Sequence, residues 1–170
     1  MNEQFSYHEL MSAIRQSKKN TSPGEDRIPF EFLKEMPKGS QHVVLKLYNK
    51  IWDTGNVPTQ WKHAIVLPIL KAGKDPHAPS SYRPISLTST LCKVMEKLIA
   101  NRLMWFLEKN NKLSNVQTGF RKNRSTVDQI VWLQDAINKY IRNQGHTLGV
   151  FLDFKNAFDK IVAKWFIEQT

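Results

Sequence analysis

A single carboxylate between a strand pattern and a helix pattern constrains this chain more than any other feature. Residues 148–154 (Leu-Gly-Val-Phe-Leu-Asp-Phe) form a β-branched and aromatic run that predicts a buried strand. From Ala157 onward, apolar residues recur at helical spacing, which predicts a helix. Asp153 therefore lies where rigid backbone can hold a carboxylate, whose oxygens are ligands that Mg²⁺ prefers. An aspartate in this position can equally form an ion pair or cap the helix that follows.

Length and composition favour one folded domain. The 170 residues are enough for one core, and a second independent core is not expected. The longest uninterrupted apolar stretch, residues 64–70, is too short to cross a membrane. One cysteine, Cys92, excludes an internal disulfide, and no signal peptide opens the chain, so we expect an intracellular protein. The sequence does not distinguish nucleus from cytoplasm.

The net charge of +10 is concentrated in the middle of the chain. Residues 61–124 hold 12 Lys/Arg and 3 Asp/Glu, whereas residues 1–60 hold 8 and 7, and residues 125–170 hold 5 of each. A basic zone of this kind is typical of proteins that bind phosphate backbones. The alternative at this point is a solvated basic face that favours solubility.

Hydrophobic periodicity predicts a mostly helical chain with one hairpin. Helices are predicted after Ser6, after Pro29, from Gly39-Ser40 to Gly55, from Thr90 to about Asn110, and after Ser125-Thr126. Residues 65–70 predict a buried strand, in which Pro68 indicates an edge or a bulge. The loop 71–81 and a returning strand at 83–87 complete the predicted hairpin.

The first candidate binding group is a cluster of three cations. Lys71 and Lys74 flank a glycine turn, and Arg83 lies on the next predicted strand, so all three would meet at the tip of the hairpin. Such a cluster can hold a triphosphate, because lysines act as point charges and arginine supplies a bidentate fork. The spacing is not that of a Walker loop. An ordinary exposed turn is the alternative.

The second candidate group is the run Gly119-Phe120-Arg121-Lys122-Asn123-Arg124. An aromatic ring beside three cations suits a nucleic acid, because the ring can stack on a base while the cations contact phosphates. The alternative is a loop in which Phe120 fills the core. The five histidines are scattered without metal-ligand spacing, so a zinc site is not expected.

Taken in order, these segments resemble the reverse transcriptases of non-long-terminal-repeat retrotransposons, the LINE-type and jockey-like elements. The resemblance rests on residues 22–26 (Ser-Pro-Gly-Glu-Asp), 61–74, 81–87, 117–121 and 151–159. It implies an α+β fold: the fingers of a right-hand polymerase, mostly helical with a basic β-hairpin, then the first strand and helix of a truncated palm. It also implies a single partial reverse transcriptase domain over residues 1–170. Its fingers region and N-terminal extension would occupy residues 1–145, and the palm would start in residues 146–170.

The resemblance implies a role for each candidate residue. Asp153 would be the catalytic residue and would bind the catalytic Mg²⁺ or Mn²⁺. The nucleotide-binding residues would be Lys71, Lys74 and Arg83, which contact the triphosphate, and Phe158, which lies under the sugar. The template-binding residues would be Gly119, Phe120, Arg121, Lys122 and Arg124. The family commonly has glycine where Arg27 stands, so the turn at that position is open to question.

The implied partners are an RNA template, a DNA primer and deoxynucleoside triphosphates, with no membrane. The Ala-Asp-Asp block that supplies the remaining metal ligands in the family is absent from the sequence. Two-metal catalysis needs several carboxylates, so we expect this chain to be inactive alone and to self-associate through its truncated palm. The alternatives are a non-catalytic RNA- or DNA-binding remnant and a structural or protein-binding helical domain.

Overall fold

The computed structural model describes residues 2–18, 20–143 and 145–154. Its helices are α1 (Tyr7–Gln16), α2 (Phe30–Glu35), α3 (Lys38–Thr54), α4 (Thr90–Lys109) and α5 (Thr126–Arg142), and its strands are β1 (Ile65–Leu70) and β2 (Tyr82–Leu87). Short 3₁₀ turns at Thr59–Lys62 and Pro79–Ser81 precede the strands. The chain divides into two compact units, Met1–Ser114 and Asn115–Thr170. The mixture of helices and one small sheet confirms the α+β class.

The helix ends follow local sequence signals. At the start of α1, the Ser6 backbone N–H donates to Glu9 Oε2 at 2.8 Å, and the Glu9 N–H donates to Ser6 Oγ at 3.2 Å. Gly55 ends α3 with a φ of +69°, as its sequence position predicts. The start of α3 was predicted at Gly39-Ser40, but the helix begins at Lys38, directly after Pro37. Proline fixes the extended N-cap conformation there, so the next residue can already be helical.

The core of the first unit lies among α1, α2, α3 and α4. Its buried apolar side chains are Phe5, Leu10, Ala13, Ile14, Phe30, Leu33, Tyr48, Ile51, Val94, Met95 and Leu98. Tyr48 is fully buried, and its hydroxyl donates to the Leu91 carbonyl at 2.9 Å, which satisfies the only polar atom of the side chain. Burial raises the pKa of the Tyr48 hydroxyl. These contacts pack the helices of the first unit against one another.

The strands β1 and β2 form the predicted antiparallel hairpin, with a continuous register from Ile65 opposite Leu87 to Leu70 opposite Tyr82. Pro68 lies in an edge strand, as predicted, and no bulge interrupts the pairing. The prediction that β1 is buried is wrong, because all six of its residues are exposed. A two-stranded sheet has two open faces, and no described element covers β1.

The strand predicted at residues 148–154 is not formed. Residues 145–154 have no regular secondary structure, and the Phe151 side chain is 88% exposed. A strand needs a neighbouring strand to satisfy its backbone groups, and no described residue pairs with this segment. The helix predicted from Ala157, together with Phe158 and Asp159, lies outside the described residues.

Candidate functional site

The structure brings the three predicted triphosphate-binding cations to one end of the hairpin. The Lys71 N–H donates to the Ser81 carbonyl at 2.8 Å, which extends the ladder one residue beyond the strands. Because Arg83 pairs with Ile69, Lys71 and Arg83 are diagonal neighbours across the hairpin. The Lys74 N–H donates to the Lys71 carbonyl at 3.2 Å and closes a tight turn. Gly73 has a φ of +69° in this turn, a conformation that glycine adopts without strain.

The loop at the hairpin tip is held by its own polar groups. Lys71 Nζ donates to the Ser80 carbonyl at 2.7 Å, and the Tyr82 hydroxyl donates to the Pro76 carbonyl at 3.0 Å. Lys71 therefore uses one of its three donors inside the loop. Lys74 and Arg83 are exposed, so they are the cations most accessible to an anion.

Two prolines lie opposite each other in the middle of the hairpin, Pro68 in β1 and Pro84 in β2. The bond between Lys71 and Ser81 sets the alternation of the antiparallel ladder, so the two prolines form a non-hydrogen-bonded pair. In such a pair the N–H groups would point toward the outer edges of the sheet. The prolines therefore remove one donor from each edge without weakening the ladder, and both edges resist pairing with another strand.

The loop at residues 22–27 packs against the segment that joins β2 to α4, at the end of the hairpin opposite its tip. Gly24 lies so close to the chain after β2 that a Cβ there would be 2.4 Å from the Thr88 carbonyl carbon. Asp26 Oδ2 accepts hydrogen bonds from Ser89 Oγ at 2.7 Å and from the Thr90 N–H at 2.8 Å. An anion at a helix N-terminus also interacts favourably with the helix dipole. The Ser-Pro-Gly-Glu-Asp segment thus positions the base of the hairpin.

Arg102 ties the N-terminal segment to α1 and α4, a role that the sequence did not predict. Its guanidinium donates to both Glu9 carboxylate oxygens, at 2.7 and 3.0 Å, and to the Gln4 carbonyl at 2.8 Å. It also donates to the Glu3 carbonyl and lies 4.2 Å from the centre of the Phe5 ring. The hydrogen bond from Arg102 is the main reason that the pKa of Glu9 falls to about 2. A separation of 93 residues leaves no local signal for this pair.

In the second unit, the Phe120 side chain is 95% exposed. The alternative in which Phe120 fills the core is therefore wrong. Its φ of +60° lies in the left-handed region, which an aromatic residue adopts only at a cost in backbone strain. Arg121 Nη1 donates to the Gln117 carbonyl at 3.2 Å, and Lys122 and Arg124 are exposed. The loop, which also contains the predicted template residue Gly119, presents an uncovered ring beside cations.

The described residues do not form the magnesium site that the sequence suggests. Asp153 is exposed and lies in the segment without regular secondary structure. Within the part of the chain that the structure describes, no three His, Cys, Asp or Glu residues come together as metal ligands. One carboxylate cannot clamp two metal ions. The catalytic role of Asp153 stays a prediction. Burial raises the pKa of the Cys92 thiol to about 12.

The sequence model of the reverse transcriptase (RNA-dependent DNA polymerase) family matches residues 69–170, more than half of the chain. The chain therefore belongs to this family. It is 38% identical to the probable RNA-directed DNA polymerase from transposon BS of Drosophila melanogaster over 153 residues, 90% of this chain and 17% of that protein. Over the same shares it is 31% identical to the polymerase from mobile element jockey and 33% identical to the probable polymerase from transposon X-element, both of that organism. The resemblance to jockey-like retrotransposon reverse transcriptases is confirmed.

The chain spans about 17% of the length of these three relatives. None of the helices in the described ranges is long and apolar enough to cross a membrane. The matched range begins inside β1 and includes both basic groups and Asp153.

Proposed function

We propose that this chain is the part of a retrotransposon reverse transcriptase that holds the incoming nucleotide and the template. In the parent reaction, deoxynucleoside triphosphates extend a DNA primer on an RNA template. The reverse transcriptase family uses divalent metal ions, and we propose Mg²⁺, with Mn²⁺ as a substitute. The observation that carries the proposal is the family match over residues 69–170, which includes every predicted site residue. In this proposal, residues 1–145 form the fingers region with an N-terminal extension, and residues 146–170 start the palm.

The hairpin tip is the proposed triphosphate site. Lys71, Lys74 and Arg83 share one end of the hairpin, where their charges add. An arginine can donate two parallel hydrogen bonds to one phosphate, while the two ammonium groups neutralise the remaining charge.

A matched pair of triple variants tests the triphosphate site. Lys71→Gln/Lys74→Gln/Arg83→Gln removes the three proposed cations, whereas Lys46→Gln/Lys50→Gln/Lys112→Gln removes three exposed cations elsewhere in the first unit. Loss of three charge-assisted contacts should weaken binding of a fluorescent deoxynucleoside triphosphate about tenfold or more. The control variant should bind within about twofold of the wild type. Equal losses in the two variants would show only a general charge effect and contradict the assignment.

The loop at residues 117–124 is the proposed template site. The exposed ring of Phe120 can stack on a base, while Arg121, Lys122 and Arg124 provide positive charge. Phe120→Ala should weaken binding of a single-stranded RNA by about 1–3 kcal/mol, the usual worth of one base stack. Phe120→Trp keeps an aromatic face and should bind within about twofold of the wild type. Unchanged affinity in Phe120→Ala, measured by fluorescence anisotropy, would exclude stacking at this loop.

We propose that the chain alone does not polymerise DNA. No three potential metal ligands come together among the described residues, and the sequence contains no Ala-Asp-Asp block, so we do not expect the several carboxylates that two-metal catalysis requires. Primer extension on an RNA template with Mg²⁺ or Mn²⁺ should give no product. Template-dependent product that disappears in Asp153→Asn would contradict this expectation and assign catalysis to the chain itself.

A second candidate function is RNA or DNA binding without catalysis. The absence of a metal-ligand cluster in the described ranges favours it. It predicts salt-dependent binding of RNA or DNA without stimulation by deoxynucleoside triphosphates. If RNA binding tightens when a matching triphosphate and Mg²⁺ are added, the polymerase hypothesis is favoured.

We also propose self-association through the exposed start of the palm, in the second unit. No residue of α5 is buried, and Phe151, Leu152 and Phe154 are at least 80% exposed. Exposed apolar area of this kind favours association. Light scattering after size-exclusion chromatography should show concentration-dependent oligomers that Phe151→Ser/Leu152→Ser shifts toward the monomer. A monodisperse wild-type monomer across the concentration range would contradict the proposal.

A further inference from the structure

A groove outside both predicted binding groups lies between α1 and the start of α3. Its volume is about 530 Å³. Its lining includes His8, Arg15, Lys38, the Tyr7 ring and Met11, but no carboxylate. Residues 1–60 hold nearly equal numbers of cations and carboxylates, 8 and 7. The positive character of the groove is therefore a local arrangement made by folding, and the charge distribution along the sequence does not reveal it.

Arg15 and Lys38 are the permanent cations of this groove. Neither Arg15 nor Lys38 forms an ion pair within the described part of the chain. Lys38 is the first residue of α3, and the first turn of that helix contains no acidic residue. A cation at a helix N-terminus is unfavourable, because that end already carries partial positive charge. An anion bound in the groove would relieve this repulsion.

A rigid aromatic pair stands beside the cations. The rings of Tyr7 and His42 are stacked, with centroids 4.8 Å apart and an interplanar angle of 11°. The Tyr7 hydroxyl donates to Gln41 Oε1, and Gln41 is buried and donates to the Met36 carbonyl at 2.9 Å. These bonds fix the Tyr7 ring, so little side-chain entropy is lost when a ligand contacts it.

We propose that this groove binds the phosphodiester backbone of a single-stranded nucleic acid. A volume of about 530 Å³ lies in the range of sites that hold whole small molecules, so the groove exceeds a single phosphate. Cations flanking an aromatic ring and an apolar side chain suit a nucleotide, which presents a phosphate and a sugar or base together. The inference rests on the proposed nucleic-acid function, and it adds a contact surface that neither basic group provides.

Paired charge variants test the groove. Arg15→Gln/Lys38→Gln removes its two permanent cations, and Lys46→Gln/Lys50→Gln removes two exposed cations from α3 outside the groove. The probe is a fluorescein-labelled 12-nucleotide polyuridine RNA, followed by anisotropy. The groove variant should bind about tenfold more weakly at low salt, and its log–log salt slope should fall by about 1.4, since each lost phosphate contact removes about 0.7. Equal effects in both variants, or no effect in either, would overturn the proposal.

A second readout does not depend on variants. Acetylation of surface lysines in the wild-type protein, mapped by mass spectrometry, should show that the RNA protects Lys38 more than Lys46 and Lys50. Equal protection of the three would overturn the proposal. Sodium tripolyphosphate tests the size of the ligand: if it protects Lys38 as well as the RNA does at equal phosphate concentration, the groove is a small-anion site and the polynucleotide assignment is wrong.

RNA and triphosphate binding by the groove variant, the hairpin variant and Phe120→Ala separate the groove from the two basic groups. If Phe120→Ala and the triple hairpin variant weaken RNA and triphosphate binding while Arg15→Gln/Lys38→Gln does not, the groove proposal fails alone. If only the groove variant weakens RNA binding, the assignment of the hairpin and loop fails and the groove stands. A chain that binds no RNA at low salt contradicts both.

Discussion

Replacement of Gly24 by alanine should loosen the base of the hairpin. A Cβ at this position would lie 2.4 Å from both the carbonyl carbon and the oxygen of Thr88, and 2.7 Å from the Ser89 nitrogen. All three are backbone atoms that a side-chain rotation cannot move. Because van der Waals contact needs about 3.5 Å, the loop must retreat by roughly 1 Å. The hydrogen bonds from Ser89 and Thr90 to Asp26, now 2.7 and 2.8 Å long, would then be lost.

The expected cost combines these two effects and is smaller than their sum. Overpacking typically costs about 1–3 kcal/mol, and hydrogen bonds to a charged group contribute about 1.5–3 kcal/mol each. Because the displaced loop relieves part of the clash as it breaks the bonds, we expect a loss of about 3 kcal/mol. For a unit of this size, that corresponds to a fall in the midpoint of thermal unfolding of about 10 °C.

The same substitution at Gly39 is the matched control. No atom lies within 4 Å of a Cβ built there, and the residue is helical. Gly39→Ala should therefore stabilise the protein by about 0.5 kcal/mol. Both variants are compared with the wild type by urea unfolding monitored by circular dichroism. In a double-mutant cycle, Gly24→Ala and Asp26→Ala should be strongly non-additive, because both break the same contact. A loss below about 1 kcal/mol in Gly24→Ala would refute the close packing of this loop.

Three further predictions concern the same unit. The stabilisation linked to the low pKa of Glu9 is fully present above pH 4.5 and is lost as the pH falls from 4.5 toward 2. Glu9→Gln should therefore lower the free energy of unfolding by about 1–2 kcal/mol at pH 7 and by almost nothing near pH 2. The cost at pH 7 is below the full linkage value because the carboxylate is 34% exposed. A pH-independent difference in urea unfolding would contradict the pairing with Arg102. Arg27 has a φ of +53°, in the left-handed region, so Arg27→Gly should raise the free energy of unfolding by about 0.5 kcal/mol, whereas Arg27→Ala should leave it unchanged. Equal stabilities of the two variants would show that the backbone is not strained at this position. Pro68→Val/Pro84→Val restores an edge donor on each side of the hairpin and should speed aggregation followed by thioflavin fluorescence, an effect whose absence would contradict edge protection.

Local patterns predicted much of the fold because their causes are local. The capping pair of Ser6 and Glu9 fixes the start of α1, and Gly55 ends α3 through its left-handed backbone. The hairpin was predictable from two apolar runs around a loop of glycine and proline. Burial was not predictable in the same way, since an apolar run such as β1 can be covered only by another element. The strand at residues 148–154 failed for a related reason, because strand formation depends on a partner.

The candidate site also has parts that the local sequence predicts and parts that depend on tertiary structure. The grouping of Lys71, Lys74 and Arg83 follows from hairpin geometry, and the sequence predicted it. The groove was missed because it combines Arg15 at the end of one helix with Lys38 at the start of another, and no pattern marks such a meeting. The exposure of Phe120 also required the structure, since an aromatic residue in a loop can be buried or free.

Photocrosslinking to RNA tests the central claim most directly. A single-stranded RNA that carries 5-iodouridine crosslinks to aromatic side chains in contact with its bases, and mass spectrometry identifies the residue. We expect a crosslink at Phe120, the most exposed aromatic side chain described, beside its cations. Trp105, 59% exposed in the first unit, serves as the internal control and should remain unmodified. Crosslinks at Trp105 with none at Phe120 would contradict the claim that the basic loop binds the template.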